Sequence, residues 1–472
     1  MYKNIRSCIR CNSPTEGNKQ SNFFSCSIGV RQGENLSPIL FSLFLNDLED
    51  FLVSKQNNGI SMNNLSPELL SALQILVLLY ADDTILLAED SAQLQKCIID
   101  FISYCTQWKL NINISKTKVQ VFGCRNYNQY NFKIGNTDLE MVDHFKYLGV
   151  YFSKSCSFIK TKTHLVEQAN KALHFLYTRI NKLPLPIDLI LKLFDHTIAP
   201  ILTYACEVWG GFGDCNIIEK THYQFFRYLT KLRKSTPTYM LMGELGRYPM
   251  EIIIKCRMIG FWYKLLTGNT NKLSYRLYHL MLSIPGFQSK WITKIKEILG
   301  ETGKMHYWCN QSNLPHHPIK NSIRQSLIDQ YKQNWHSSLQ TSSKGKHYSL
   351  FKSEINLEKY FLILNRNQAI QFAKFRTNNN YLPVETGRWA GIEINDRKCE
   401  LCDKNDIGDS FHYLLVCPSL SIIRKQYIPK YYYSHPNIIK FQQIMSISTQ
   451  QQLQKLSKFV TLIMNKFGPQ HN

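Results

Sequence analysis

The feature that most constrains this chain is the apolar run from Ile75 to Ala88, which Asp82 and Asp83 interrupt in its middle. Both apolar halves are short and partly β-branched, so the pattern predicts a β-hairpin with Ala81, Asp82 and Asp83 at its turn. Adjacent carboxylates between apolar strands repel each other and lose solvation, and a divalent cation relieves both penalties. Mg²⁺ takes oxygen ligands and is commonly held by one or two carboxylates together with substrate phosphates. A solvated Asp-Asp turn is the alternative interpretation of these two residues taken alone.

Helical patterns flank the predicted hairpin. Ser37 suits an N-cap and Pro38 a first helical position, and apolar residues then recur at helical spacing as far as Leu52. A second helix is predicted over residues 91–108, with Asp90 as its cap. Strands are predicted over 118–122 and 145–152. The order helix, hairpin, helix, strands predicts an α+β domain with an antiparallel sheet.

The charge of the chain indicates the kind of partner it meets. Its 472 residues contain 56 Lys and Arg against 34 Asp and Glu, a formal net charge of +22. A surface this basic argues against most small-molecule enzymes and favours a polyanionic partner. No apolar run reaches the roughly 18 residues of a membrane span, and the N-terminus lacks a signal-peptide core. We therefore expect an intracellular protein, nuclear or cytoplasmic, that is neither secreted nor bound to a membrane, with its 14 cysteines as reduced thiols or metal ligands.

Three cysteines and one histidine are grouped near the C-terminus. They are Cys399, Cys402, His412 and Cys417. The Cys-x₂-Cys spacing is typical of zinc sites, and three thiolates with one imidazole form a recognised tetrahedral ligand set. Residues 410–416 are predicted to form a short helix that presents His412, and Pro418 favours a chain that leaves this helix, so that Cys417 turns inward. Four unconnected residues in a cysteine-containing chain are the alternative.

The middle of the chain, from 163 to 267, is patterned almost entirely as helix. A stripe that includes Leu165 and Ile180 indicates one packed helix. Arg227, Lys231 and Lys234 follow at spacings i, i+4 and i+7, which predicts a basic ridge suited to a phosphate backbone. A solvated helix face explains the same three residues equally well.

Four segments resemble, in their order along the chain, the palm motifs of the reverse transcriptases of non-LTR (LINE-type) retrotransposons. They are Gly29–Phe41 (GVRQGENLSPILF), Tyr80–Asp83 (YADD), Trp108–Lys118 (WKLNINISKTK) and Phe145–Gly149 (FKYLG). The resemblance covers about residues 1–265 and resumes at the Cys/His cluster. It implies an RNA-directed DNA polymerase, a nucleotidyltransferase whose partners are an RNA template and a DNA primer or target.

The resemblance also implies roles for the positions that match. Asp82 and Asp83 would be the catalytic carboxylates and hold Mg²⁺ in a two-metal displacement. The positions it places against template, nucleotide, phosphates or primer are Arg31, Gln32, Gly33, Tyr80, Lys116, Lys118, Tyr147 and Gly149. It makes the turn 147–149 the primer grip, and it makes the Cys/His cluster a zinc knuckle that binds nucleic acid. An ordinary helix entry at 36–41 and a solvated lysine pair at 116 and 118 are the alternatives.

One catalytic element of the family has no counterpart in this sequence. The family's palm begins with another strand, which carries an Asp that shares both metals with the Tyr-Ala-Asp-Asp pair. Here Glu16 is the acid that precedes Gly29, and Asp47 is the first aspartate. We therefore expect a chain truncated at its N-terminus, without the fingers and the first palm strand, that has little or no polymerase activity alone. A non-catalytic nucleic-acid-binding protein is the alternative.

The predicted organisation has five parts. They are a partial palm (1–160), a helical thumb (161–267), a polar helical linker (268–397), a zinc knuckle (398–420) and a C-terminal tail (421–472).

Overall fold

The computed structural model describes residues 9–11, 24–26, 35–63, 72–123, 130–284, 289–315, 319–342 and 344–468. The chain divides into two compact units. The first unit is Met1–Lys146, Ser153–Cys156 and Asn269–Phe287, and the second is Tyr147–Phe152, Ser157–Gly268 and Gln288–Asn472. Within the described ranges, no helix combines the length and the apolar character that a membrane crossing requires.

Short strands and three helices are found among the residues described as far as 153. The strands are β1 (Ile9–Cys11), β2 (Phe24–Cys26), β3 (Ile60–Asn63), β4 (Ala72–Ile75), β5 (Val77–Tyr80), β6 (Asp83–Leu86), β7 (Lys118–Val119), β8 (Lys133–Ile134), β9 (Thr137–Asp138), β10 (Glu140–Met141), β11 (His144–Tyr147) and β12 (Val150–Ser153). The helices are α1 (Ser37–Phe44), α2 (Leu48–Ser54) and α3 (Ser91–Gln107). The chain passes from one unit to the other around the turn between β11 and β12.

The described strands pair two by two. Antiparallel pairs join β1 with β2, β3 with β4, β5 with β6, and β8 with β9. Strands β7 and β10 pair in parallel, Glu140 opposite Lys118 and Met141 opposite Val119. The α+β class is therefore confirmed, while the parallel pair departs from the antiparallel sheet that the sequence predicted. Its partners are brought together across the intervening β8–β9 hairpin, which hydropathy patterns do not reveal.

The first predicted helix is two helices. Residues 45–47 interrupt it, and α1 begins at Ser37 with Leu36, not Ser37, at the capping position. Asn and Asp compete with helical hydrogen bonds through their side chains, which explains a break at Asn46 and Asp47. The second predicted helix is confirmed, because the Asp90 carboxylate accepts a hydrogen bond of 2.8 Å from a backbone N–H of the first turn of α3.

The core of the first unit lies between the helices and the β5–β6 hairpin. Leu48, Leu52 and Tyr104 are fully buried, and partly buried hydrophobic side chains pack against this cluster. These include Val77 of β5 and Leu86 of β6, so the base of the hairpin is fixed to the helices.

The second unit is helical, and α11 belongs to the first. The helices are α4 (Ile159–Lys182), α5 (Ile187–Leu193), α6 (Ala199–Leu202), α7 (Cys206–Trp209), α8 (Asn216–Thr230), α9 (Thr238–Glu244), α10 (Met250–Thr267), α11 (Leu273–Ser283), α12 (Lys290–Glu301), α13 (Met305–Cys309), α14 (Ile319–Thr341), α15 (Tyr348–Phe351), α16 (Tyr360–Ile363), α17 (Arg366–Arg376), α18 (Pro383–Trp389), α19 (Ser421–Tyr427), α20 (Lys430–Tyr433), α21 (Ile438–Met445) and α22 (Gln450–Lys466). Wider π-helical turns occur at Phe194–Ile198 and His412–Val416. Short 3₁₀ turns lie at Gln311–Asn313, Ile394–Asp396 and Pro418–Leu420.

The predicted packed helix is confirmed as α4. Its stripe from Leu165 to Ile180 is buried, and the helix ends at Lys182, ahead of Pro184. Phe194 and Phe225, whose ring centroids are 4.6 Å apart, belong to the same buried core. The domain boundaries predicted at 267, 397 and 420 stay predictions.

Candidate functional site

The acidic pair lies at the tip of the β5–β6 hairpin, as predicted. Tyr80 pairs with Asp83, so Ala81 and Asp82 form a two-residue turn and Asp83 is the first residue of β6. Ala81 has a left-handed φ of 52°. For a residue with a Cβ this conformation costs about 1–3 kcal/mol and is found mainly in tight turns and functional loops.

Both carboxylates of the tip are exposed to solvent, and Tyr80 is 60% exposed. Within the described part of the chain, neither Asp82 nor Asp83 has a hydrogen-bond or ion-pair partner, so their oxygens are free to accept a ligand. Desolvation by the flanking strands, one of the two penalties expected from the sequence, is therefore small. Repulsion between neighbouring carboxylates remains. The exposed position suits a cation-binding pair and is also compatible with a solvated turn.

The hairpin holds this tip on a firm base. Leu76, just before β5, is 3% exposed, and its carbonyl accepts a hydrogen bond of 2.9 Å from the N–H of Leu87, just after β6. Since this contact joins the two strands at their base, the position of the tip is set by the core of the first unit.

The structure describes some, but not all, of the positions predicted to contact template, nucleotide and phosphates. Arg31, Gln32 and Gly33 lie outside the described residues. Lys118 is engaged, with its ammonium 2.6 Å from the Glu140 carboxylate. Lys116 is exposed. A role for Lys118 at phosphates therefore requires it to leave Glu140.

The turn at 147–149 is shaped by a residue that sequence reasoning did not single out. Leu148 and Gly149 both have left-handed φ angles, 47° and 81°. The Tyr204 hydroxyl donates a hydrogen bond of 2.9 Å to the Leu148 carbonyl. A Cβ at position 149 would lie 2.9 Å from the Tyr204 ring, so the turn needs glycine here. Tyr204 lies 56 residues beyond Leu148 in the sequence, so local spacing carries no signal of this contact.

The predicted basic ridge is not a helical ridge. Helix α8 ends at Thr230, and Lys231 closes it with a left-handed φ of 54°. Of the three predicted cations only Arg227 lies on the helix, and its guanidinium donates to the carbonyls of Arg233 and Thr236. The prediction that one helix carries all three cations is therefore wrong, because α8 ends before Lys231, whereas their role at a phosphate backbone stays a prediction.

The four predicted metal ligands do come together. The four ligand atoms of Cys399, Cys402, His412 and Cys417 lie within 4.8 Å of one another. The sulfurs of Cys399 and Cys417 are 3.9 Å apart, and the sulfur of Cys402 is 3.5 Å from Nε2 of His412. A tetrahedral zinc site with Zn–S of about 2.3 Å and Zn–N of about 2.0–2.1 Å separates two sulfurs by about 3.8 Å and a sulfur from a nitrogen by about 3.6 Å. The donor set therefore fits a tetrahedral metal ion.

Two local structures position these ligands. The N–H of Cys399 donates to the carbonyl of Asp406 at 2.9 Å, which closes the loop that carries both Cys399 and Cys402. The helix that presents His412 widens into a π turn, in which the N–H of Cys417 donates to the His412 carbonyl at 2.8 Å. This bond spans five residues, which an α-helix does not allow, and it brings the end of the turn back beneath His412.

Polar groups around the cluster set its protonation. Burial lowers the pKa of His412, which favours the neutral imidazole that binds metals. The Asp406 carboxylate lies 3.3 Å from Nδ1, so Nε2 is left for the metal. Burial raises the pKa of Cys417 to about 12. Burial also acts to raise the pKa of Cys399, but the Tyr413 hydroxyl and the Leu401 N–H outweigh it, and this pKa is lowered.

Comparison with known proteins relates the segment that carries the hairpin to a family. Residues 2–152 match the family described as reverse transcriptase (RNA-dependent DNA polymerase). The RNA-directed DNA polymerase from mobile element jockey of Drosophila funebris is 28% identical over 270 residues, which are 53% of this chain and 27% of that protein. The probable RNA-directed DNA polymerase from transposon BS of Drosophila melanogaster is 27% identical over 193 residues, 39% of this chain and 20% of that protein.

A third relative is also an RNA-directed DNA polymerase from a mobile element. The jockey polymerase of Drosophila melanogaster is 24% identical over 233 residues, 46% of this chain and 23% of that protein. The matched segments thus span about a quarter of the length of these relatives. Within the match to the family lies the hairpin with its exposed acidic tip. The chain therefore carries, over residues 2–152, a reverse transcriptase domain of the kind found in non-LTR retrotransposons.

Proposed function

We propose that the chain takes part in DNA synthesis on an RNA template, with Asp82 and Asp83 as its Mg²⁺ ligands. The observation that carries this proposal is the position of both carboxylates, exposed and without a protein partner in the described residues, on the tip of a hairpin whose base packs against the core. When bound there, Mg²⁺ would activate the primer 3′-hydroxyl and neutralise the charge of the triphosphate.

We propose that residues of each unit, taken separately, bind nucleic acid. The turn of Leu148 and Gly149 offers a firm backbone surface to a primer, since Tyr204 fixes its carbonyl. Lys116, exposed on the loop before β7, is available to a phosphate. The partners that we propose are an RNA template and a DNA primer or target.

We further propose that Asp82 and Asp83 by themselves hold the metal weakly and support little primer extension, because no third metal-ligating side chain is grouped with them among the described residues. Two-metal catalysis holds its ions about 3.5–4 Å apart and needs carboxylates beyond a single pair. Asp47 is already engaged, because its carboxylate accepts a hydrogen bond of 2.5 Å from the Tyr104 hydroxyl.

Titration with Mn²⁺, followed by electron paramagnetic resonance in the presence of primer, template and nucleotide, tests the metal site. We expect an Asp82→Asn, Asp83→Asn variant to lose one bound ion. A matched control is the Glu49→Gln, Asp50→Asn variant, which removes another exposed adjacent acidic pair and should keep the ion. Equal Mn²⁺ binding by the wild type and the hairpin variant would refute the role of the hairpin.

A primer-extension assay on an RNA template tests the second part of the proposal. We expect extension by the wild-type polypeptide to stay close to that of the hairpin variant. Sustained extension that Asp82→Ala abolishes would overturn the proposed weak activity while supporting the role of the hairpin.

A second candidate function is nucleic-acid binding without catalysis, and the Cys/His centre favours it. We propose that Cys399, Cys402, His412 and Cys417 hold Zn²⁺ as a structural knuckle, because their donor atoms match tetrahedral geometry. Zinc would fix the chain around Arg397, Lys398 and Lys404, which would then meet phosphates. Binding of RNA or DNA with no metal-dependent extension would favour this function over polymerisation.

A further inference from the structure

A group of cations that carries no carboxylate partner among the described residues lies in the second unit. Lys231 and Arg233 lie in the loop after α8, and Arg366 and Lys374 lie on α17. Positions 366 and 374 are eight residues apart, which places them on one face of the helix. Among the residues that the structure describes, none of these four side chains has a carboxylate within ion-pair distance.

The four cations are close enough to affect one another. Burial and then the charges of Arg233 and Lys231 lower the pKa of Lys374. Burial and then the charge of Arg366 lower the pKa of Lys231. The like charges are therefore held together at a cost in free energy, which a bound polyanion would relieve.

Buried donors hold the loop that presents these cations. Arg227 donates to the carbonyls of Arg233 and Thr236, and Lys344 donates to the carbonyl of Ser235 at 2.9 Å. Asn379 donates to the Thr236 hydroxyl at 2.5 Å. Because these hydrogen bonds hold the loop to the rest of the chain, binding of a ligand would require little further ordering of the loop.

Two aromatic rings border the cations. The Arg233 guanidinium lies 4.1 Å from the ring centre of Tyr381 and 5.1 Å from that of Trp389. The two rings meet edge to face, with centroids 5.6 Å apart, and Trp389 is 46% exposed. Glu385, the acid on the same helix as Trp389, is 2.6 Å from Arg388 and leaves the group strongly positive.

We propose that Lys231, Arg233, Arg366, Lys374, Tyr381 and Trp389 form a binding site for single-stranded nucleic acid. Phosphates would lie on the cations and a base would stack on the exposed face of Trp389. An exposed aromatic ring beside a row of cations suits a strand whose bases are unpaired, whereas a duplex hides its base faces. The inference rests on the proposed nucleic-acid function and adds to it a site outside the reverse transcriptase domain.

Fluorescence anisotropy of the full chain with labelled single-stranded RNA, single-stranded DNA and duplex DNA tests this site. We expect Trp389→Ala to weaken single-strand binding by about 5- to 100-fold and to change duplex binding much less. Tyr431→Ala is the matched control, because that ring is 56% exposed and also lies beside a cation, Lys440, at 4.9 Å.

A Lys231→Glu, Lys374→Glu variant tests the phosphate contacts. We expect it to reduce the dependence of log K on log salt by about 1.4, since each single-strand phosphate contact contributes about 0.7. Lys455→Glu, Lys458→Glu on the exposed face of α22 makes the same change in net charge and should leave the slope nearly unchanged. Circular dichroism melting of every variant shows whether it is folded.

The outcomes separate this site from the proposed function as a whole. If the wild type binds none of the three oligonucleotides, both proposals fail. If it binds them and the Trp389 and lysine variants bind equally well, this site is refuted and the binding lies elsewhere, such as in the Cys/His centre. Equal losses for single strands and duplex with Trp389→Ala would refute base stacking.

Discussion

Replacing the buried carboxylate of Glu244 tests how the helices of the second unit are held together. Glu244, at the end of α9, is fully buried, and Arg376, at the end of α17, is 3% exposed. Nε and Nη2 of Arg376 lie 3.1 and 3.2 Å from the Glu244 carboxylate. The Tyr360 hydroxyl donates to the same carboxylate at 2.5 Å, and Nη1 of Arg376 donates to the Met445 carbonyl at 2.8 Å.

The size of the effect follows from what Glu244→Gln leaves behind. The guanidinium of Arg376 stays buried, and its remaining acidic neighbour is Glu358, at 3.4 Å. Removing one partner of a buried ion pair costs about 3–5 kcal/mol. Because Glu358 still compensates part of the charge, we expect a loss of about 3 kcal/mol, which in a unit of this size lowers Tm by about 5 °C.

Urea unfolding followed by circular dichroism measures this loss. The control is Glu301→Gln, which removes one of the two carboxylates beside Lys255; because Glu301 is 42% exposed and Glu251 stays 3.0 Å from the ammonium, this should cost less than about 1 kcal/mol. The double variant Glu244→Gln, Arg376→Met removes the stranded charge and should recover part of the stability. A loss below about 1 kcal/mol for Glu244→Gln would refute the reasoning, because the network would then contribute no more than an exposed pair.

The same pair gives a dependence on pH whose sign can be worked out. Burial acts to raise the pKa of Glu244, but the charges of Arg376 and Lys352 outweigh it, and the pKa in the folded chain is lowered from 4.5. A carboxyl group whose pKa is lowered by folding stabilises the fold at pH values above its pKa in the unfolded chain. This contribution is lost as the pH falls through its pKa in the folded chain. The stability difference between the wild type and Glu244→Gln should therefore shrink as pH falls below about 4.5.

Three further predictions concern the metal centre and the backbone. We expect the purified chain to contain one zinc ion by mass spectrometry of metals, lost in Cys402→Ser and kept in Cys309→Ser, whose thiol is exposed and outside the cluster; a folded, metal-free wild type would contradict this. Gly149→Ala should cost about 1–3 kcal/mol in urea unfolding because of its φ of 81° and the nearby Tyr204 ring, whereas Gly300→Ala in α12, with open space around it, should be neutral or stabilising. Asp90→Ala should cost about 1 kcal/mol through loss of the α3 cap, and no change in the urea midpoint would show that the cap contributes nothing.

Features fixed by neighbours in sequence could be predicted. The acidic turn between two apolar runs predicted the β5–β6 hairpin, and the apolar stripe predicted α4. The cap of α3 at Asp90 is also a local pattern. The Cys/His spacing brought the right four residues together, because the two cysteines of the opening pair lie in one short loop.

Features that depend on partners distant in sequence could not be predicted. The break after α1 places Asp47 beside Tyr104, 57 residues away. The parallel pairing of β7 and β10 depends on the chain between them. The three predicted cations do not share one helix, because α8 ends at Thr230 and Arg227 donates to backbone carbonyls. The spacing of three cations carries no signal of where a helix ends.

The Cys/His centre shows how a local irregularity can be required by chemistry. In a regular α-helix, position i+5 is poorly aligned with position i, so Cys417 and His412 could not bind the same metal ion. The π turn solves this by a bond from Cys417 to the His412 carbonyl, and buried Arg424 donates to the carbonyls of Leu414 and Cys417 at 2.8 Å each. The π turn is the local structure that brings His412 and Cys417 to one point, as the proposed zinc site needs. The periodicity of the sequence contains no sign of this turn.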